Sequence, residues 1–395
     1  LKDHYSKAQT EPGTVKFTYQ NYDMGLFSGK ADWTATIQLD PCQPSQVLVL
    51  KGTDKISRSW NGYAIDSDFE FKDGLEPLQQ VFKKPLHAES KLNFLGNMSS
   101  SITTPVVSEN KDGAKVDIEP IKIQFKGKNQ QDKMNLTELE MHLPKMTVVE
   151  GTNNFSLQGL KLDVDQNMGS YKIEEGKSKL EVDLVKFGSA DVNGELKDLN
   201  FNSETKLHDK TVSFLSSFNF GSLSTGSGAP IEKFKMNFEV NDVNREKLQT
   251  IFDYFEKSSK TCVADSNLKE QAVPQLLALL NDGLSIKSMD NQLKIGKGEA
   301  KFDLAGNLKK SSFTDFQSLM QTLPLMLEYK ANFNFDKDVV KGLMALAPAD
   351  RQPKLSDADL DTFLNELVSG GKLNRKGDDF SVNLSYKDGK QEFLK

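Results

Sequence analysis

Cysteine is nearly absent from this chain, with two in 395 residues, Cys42 and Cys262. Neither belongs to a C-x-x-C pair, so zinc sites and thioredoxin-like redox chemistry lack their signature. In an oxidising compartment the two could close one disulfide, worth about 4 kcal/mol or more in the chain-entropy account. Two unrelated free thiols are the alternative. Tryptophan is equally scarce, with 2, and tyrosine numbers 8 against 25 phenylalanines. Phenylalanine has no polar handle and fills dry space. The inventory therefore points to an ordinary core, or to phenylalanines lining an apolar groove.

No run of apolar residues approaches the ~20 of a membrane-spanning helix. An initiator methionine is also missing, since the chain begins at Leu1. A processed or omitted N-terminal segment is expected from that, and any signal peptide or anchor would have been in it. There is no basic surplus either: the net charge is -6, which argues against a nucleic-acid partner.

Catalytic and cofactor motifs are missing too. Gly176-Lys177-Ser178 has the ending of a phosphate-binding loop, but Tyr171 stands where the first glycine is needed. Gly296-x-Gly298 has Lys301 at its third glycine position, so there is no dinucleotide fingerprint. His4, His87, His142 and His208 show no metal-ligand spacing, and there is no G-x-S-x-G elbow. Strand histidines distant in sequence can converge, so spacing alone does not decide a metal site. No catalytic residue, metal or cofactor is assigned, and the protein is expected not to be an enzyme.

What is present is alternation. Val15, Phe17 and Tyr19 alternate with polar neighbours, as do Phe27 to Leu39, Leu160 to Val164 and Leu180 to Leu184. This period of two marks antiparallel strands with one buried and one wet face. Asp73-Gly74, Asp112-Gly113 and Asn193-Gly194 read as turns, and the stretch from Gly221 to Gly228 as a flexible loop. The charge runs Lys122 to Lys133 and Glu174 to Lys179 read as solvated strand edges and turns.

From about Asn241 the period changes. Leu248, Ile251, Phe252 and Phe255 share one helix face, as do Phe316, Leu319, Met320 and Leu323. Leu360, Phe363, Leu364 and Leu367 do the same, between the capping pattern Ser356-x-x-Asp359 and a stop at Gly370-Gly371. A further helix is expected within 266–282, kinked or opened by Pro274. Strands return at Leu284–Ile295 and Gly298–Leu308, then at an edge through Tyr329, Ala331, Phe333 and Phe335. A hairpin about Asp388-Gly389 closes the chain. The fold expected is α+β and mainly β: an extended curved antiparallel sheet with amphipathic helices packed on it in the C-terminal part. The length suggests two regions, a strand-rich one over 1–240 and a mixed one over 241–395.

Tyr22-Asp23-Met24-Gly25-Leu26-Phe27-Ser28-Gly29-Lys30-Ala31, leading into an alternating strand, resembles the start of the bacterial YdgA-like family of unknown function. The hairpin Phe380 to Leu394 resembles that family's ending, and the helix opened by Asn241-x-x-Asn244 fits as well. The resemblance implies an N-terminal membrane anchor absent from this chain. It also implies an exported body in the periplasm, anchored to the inner membrane. More loosely, the strand run is similar to the AsmA-like envelope proteins, whose curved sheet holds lipid on an apolar inner face. The function expected is therefore a non-catalytic envelope role, binding lipid or another hydrophobic ligand in an apolar sheet groove. A structural or protein–protein interaction module in the periplasm, with envelope proteins as partners, is the alternative.

Overall fold

A computed structural model describes residues 15–38, 47–74, 76–111, 113–130, 133–168, 172–190, 192–226, 229–261, 265–346 and 356–394. The chain is mostly strand, with antiparallel pairing throughout and six helices among the described residues, five of them in the C-terminal part. It divides into two compact units, Leu1–Lys179 with Phe252–Leu268, and Leu180–Ile251 with Lys269–Lys395.

The first unit is a meander that follows from the alternation. Strands β1 (Val15–Met24), β2 (Ser28–Gln38), β3 (Val47–Ser59), β4 (Gly62–Asp73), β5 (Leu86–Asn93) and β6 (Asn97–Thr103) pair each with the next. The ladder then skips to β9 (Lys122–Gln130), β10 (Lys133–Glu150) and β11 (Asn153–Met168). The short hairpin β7 (Val107–Lys111) and β8 (Ala114–Ile118) pairs on β10. Helix α1 (Glu76–Val81) leads into Phe82, which packs against Phe69, Leu86 and Ala88.

Because side chains alternate sides, register decides which residues share a face. One row across this unit reads Ala31, Asp54, Ser67, Ala88, Ile102, Ile123, Met141 and Leu162. The row on the opposite face reads Lys55, Asp66, Glu89, Ser101, Gln124 and Glu140, a charged surface.

The second unit carries most of β12 (Gly176–Gly188), then β13 (Asn193–Leu207), β14 (Thr211–Phe220), β15 (Ser222–Thr225) and β16 (Ile231–Asn244), the first turns of α2 (Arg245–Thr261) and most of α3 (Asp265–Asn281). Next come β17 (Leu284–Ile295), β18 (Gly298–Leu308), α4 (Phe316–Met326), β19 (Leu327–Asp336), α5 (Lys337–Ala345) and α6 (Asp357–Ser369). The chain ends in β20 (Asn374–Lys376), β21 (Asp379–Lys387) and β22 (Lys390–Leu394). The ladder runs β13, β14, β16, β17, β18, β19, β21, β22. The closing turn places Asp388 and Gly389 at φ 52° and 76°, as a tight two-residue hairpin requires.

Helix α6 begins and ends where its capping signals stand: Ser356 Oγ accepts from the Asp359 amide at 3.2 Å, and the Ser356 amide donates to Asp359 Oδ2 at 3.0 Å. Pro274 lies inside α3. Helix α5 was not anticipated. It sits so close to the sheet that a Cβ on Gly298 would fall 2.0 Å from the Val339 amide nitrogen, and one on Gly342 2.5 Å from Ile295 Cγ2. Helices α5 and α6 close the core of this unit: Val339, Leu360 and Leu364 bury against Ala300, Phe335, Leu373 and Phe380.

Several local readings change. Tyr329 to Phe335 is no edge, because β19 lies between β18 and β21. Nor is Lys122 to Gln130 an edge, since β9 pairs with both β6 and β10, and its Lys126 bonds to Glu138 across the ladder. Asn193-Gly194 opens a strand rather than a turn, and the turn before it is closed by the Ser189 amide donating to the Val192 carbonyl. Cys42, Cys262, His4 and Asp112 lie outside the described residues.

Candidate functional site

In the second unit one cross-strand row runs from β14 to β21: Phe220, Phe234, Leu293, Ala300, Phe335 and Phe380. Pairing forces all six side chains onto one face. At the β18–β21 end, helices α5 and α6 cover that face, and Phe335 and Phe380 are only 9% and 3% exposed. At the other end Phe220 is itself only 9% exposed, and the face opens in the row beside it. Phe201, Phe218 and Met236 form a parallel row across β13, β14 and β16, and Phe238 lies two residues further along β16. These four are 36–39% exposed.

The rings are organised rather than scattered. Phe220 and Phe234 stack at 5.3 Å between centroids, and Phe218 meets them edge-on at 6.1 and 5.9 Å. Such pairs are worth ~0.5–1.5 kcal/mol beyond their area, so the cluster holds its shape without a helix over it. The reverse face of the same strands is an amide and hydroxyl ladder, in which Asn202 Nδ2 donates to Ser217 Oγ at 3.0 Å and Asn200 Nδ2 to Glu181 Oε1 at 3.2 Å. The two faces thus differ sharply in polarity: one is hydrated and hydrogen-bonded, the other an apolar strip about three strands wide. An apolar strip can bind a hydrocarbon chain or an apolar peptide face, and it offers no group that could act as acid, base or nucleophile.

Titratable groups gather elsewhere. On the charged face of the first unit His87 Nδ1 lies 3.0 Å from Asp68 Oδ1, with Asp66 at 3.9 Å and Glu89 Oε1 3.7 Å from Nε2. The hydrogen bond to Asp68 is the main cause that raises the His87 pKa above the ordinary imidazole value. Asp66, Asp68 and His87 are close enough to share an ion, so strand residues do converge as spacing alone could not show. All three lie open to solvent, paired with one another as neighbouring charges on a ladder. Of the other histidines, His142 lies exposed on β10 and His208 Nε2 sits 3.1 Å from Ser213 Oγ.

On the apolar face of the same unit Asp54 is buried, with its Oδ1 accepting from Ser67 Oγ at 2.6 Å and Trp33 Nε1 at 2.7 Å. Burial raises its pKa, against the lowering by these two donors. With both donors aimed at one carboxylate oxygen, this hydrogen-bonded trio reads as a satisfied polar point in an apolar surface.

Of the glycines that stood in near-miss motifs, Gly176 opens β12, Gly296 takes a turn at φ 56°, and Gly298 makes room for α5. Sequence reasoning placed Phe on alternating strands without identifying Phe201, Phe218, Met236 and Phe238. Their signal is the alternation of Phe with Ser and Asn over 213–220 and 234–238.

No curated protein and no solved structure matches the chain. One family model does, over residues 1–393. The chain, with its long antiparallel ladders and its half-covered apolar face, belongs to the bacterial proteins of unknown function grouped as DUF945.

Proposed function

We propose that this is a non-catalytic binding protein of the bacterial envelope that holds a hydrophobic ligand, an acyl chain of a lipid, on the open end of the apolar face in its second unit. One observation carries the reading: one face of the sheet is sealed by helices at Phe335 and Phe380 and, in a neighbouring row of the same face, exposed at Phe201, Phe218 and Met236. A protein that needed this face only as core would cover it, because exposed contiguous apolar surface is costly and commonly marks a binding site. The resemblance to exported, anchored envelope proteins supports a periplasmic location at the inner membrane, where acyl chains are abundant.

Burying one large apolar side chain contributes about 1.5–3 kcal/mol. Phe218→Ser with Met236→Ser should therefore weaken uptake of a fluorescent fatty acid at least about tenfold, with circular dichroism unchanged. Native mass spectrometry of the parent purified from envelope extract should show a phospholipid or fatty-acid mass. A parent that takes up no lipid when it is offered, or a variant that binds as the parent does, would sink the proposal.

A second reading, docking of a protein partner, is favoured by α4, whose Phe316 and Met320 are both exposed one turn apart. Recovery of one partner by crosslinking, lost in Phe316→Ser with Met320→Ser, would support it.

A further inference from the structure

The β1–β2, β3–β4 and β5–β6 turns of the first unit all fall at the same end of its ladder, as the register requires: Ser28 pairs with Ser57, Ser59 with Gly62, and Gly62 with Asn93. Each turn carries large apolar side chains. Leu26 and Phe27 occupy the first, Trp60 the second, Phe94 and Leu95 the third, and all five are 58–91% exposed. Trp60 is the most exposed of them, although the chain has only 2 tryptophans. A polar turn would serve a simple hairpin equally well.

The turns form one connected rim. The Arg58 amide donates to the Phe27 carbonyl at 2.8 Å, and the Phe94 amide to the Asn61 carbonyl at 3.0 Å. The Tyr63 and Phe94 rings meet edge-on at 5.8 Å. Several backbone groups at the first and third tips are also satisfied internally. The Gly25 amide donates to the Ser28 carbonyl at 2.8 Å, and the Leu95 and Asn97 amides donate to Asn93 Oδ1 at 3.0 and 2.9 Å. Turns with paired backbones can enter a poorly hydrated layer without leaving orphan donors there.

Charge distinguishes the rim further. From Met24 to Ala31, from Lys55 to Tyr63 and from Lys91 to Ile102 there is no acidic residue, in a chain with 56 acids against 50 bases. The charged side chains immediately behind the tips are Lys30, Arg58, Lys91 and Lys128, with one acid, Asp23, opposite Lys30, all exposed. Apolar tips with a tryptophan among them, backed by long cationic side chains, are complementary to the interfacial layer of an anionic bilayer. There the rings sit at headgroup depth and the cations meet phosphates.

We propose that this rim docks the first unit onto the surface of an anionic phospholipid bilayer. This proposal does not rest on the ligand site of the second unit, and the two are separable by experiment. The full chain is sedimented with vesicles of phosphatidylcholine alone and of about three parts phosphatidylcholine to one of phosphatidylglycerol. Binding to the anionic vesicles only is expected, with a blue shift of Trp60 emission and quenching by brominated acyl chains. Trp60→Ser with Leu95→Ser, and separately Arg58→Glu with Lys91→Glu, should each reduce that binding about tenfold or more. Fatty-acid uptake should be unchanged in both, because none of these residues lies on the Phe218 face. Three outcomes would overturn the proposal: a parent that stays in the supernatant with both vesicle types, whose tips would then face a protein; equal binding to neutral vesicles; or variants that sediment as the parent does.

Discussion

Asp54 shows how one buried side chain links pH to stability. Desolvation holds its pKa above the ordinary carboxylate value in the folded chain, so the folded state binds that proton more tightly than the unfolded state does. The contribution of this group to stability is most favourable below the ordinary carboxylate range. It is lost progressively as pH rises from the unfolded value through the raised folded one. Asp54→Asn keeps an oxygen to accept from Ser67 and Trp33 while removing the charge. The variant should gain on the parent in urea denaturation as pH climbs from about 3 to neutrality, and a difference that stays flat over that range would refute the account. Asn291 is the contrasting case, a buried polar group whose oxygen and both amide hydrogens are engaged. Its Oδ1 accepts from the Asn237 amide at 2.7 Å, and its Nδ2 donates to Ser288 Oγ at 3.0 Å and the Phe302 carbonyl at 2.8 Å. These bonds tie three strands together at the bulge where Asp290 takes a positive φ.

Elements show how far local pattern reaches. Strand alternation, the capping box at Ser356 and the Asp388-Gly389 turn were all readable because each depends on neighbours within a few residues. Helix α5 was not, since it starts directly after β19 on the cap of Asp336, whose Oδ1 accepts from the Val339 amide at 2.9 Å, and spans only nine residues. Its seating depends instead on two approaches between residues distant in sequence, Gly298 to Val339 and Gly342 to Ile295. Gly298→Ala would place a methyl against the helix backbone, which must then lift, at a cost of about 1–3 kcal/mol. The urea midpoint should fall accordingly, with α5 amides exchanging faster; unchanged exchange in α5 would show that the glycine is dispensable. The open face was illegible for a related reason. Phe218 and Phe335 are both phenylalanines between polar neighbours on alternating strands, and only the position of two helices leaves the first exposed and buries the second.

At the scale of the whole molecule the net charge of -6 conceals a segregation. The polar faces carry both signs in register, as in Lys186 and Lys197 about Glu195 at 2.9 and 2.6 Å, or Lys309 between Glu328 and Asp388 at 2.8 and 2.9 Å. The hairpin rim of the first unit carries four cations, Lys30, Arg58, Lys91 and Lys128, against one acid, Asp23. Salt should therefore act on the two proposed activities differently. The screening length falls from about 10 Å at 0.1 M to about 3 Å at 1 M, so sedimentation with anionic vesicles should weaken steeply as salt is added while fatty-acid uptake holds or improves. Parallel loss of both would mean one surface serves both. The open end of the apolar row has a further consequence of size. Three strands span roughly 10 Å, and the residues from Phe234 to Phe238 cover about 13 Å along the strand. A footprint that small has room for one hydrocarbon tail and encloses nothing, so the headgroup of the proposed amphiphile would stay outside. On the proposed function, such a surface would pass a molecule on rather than store it.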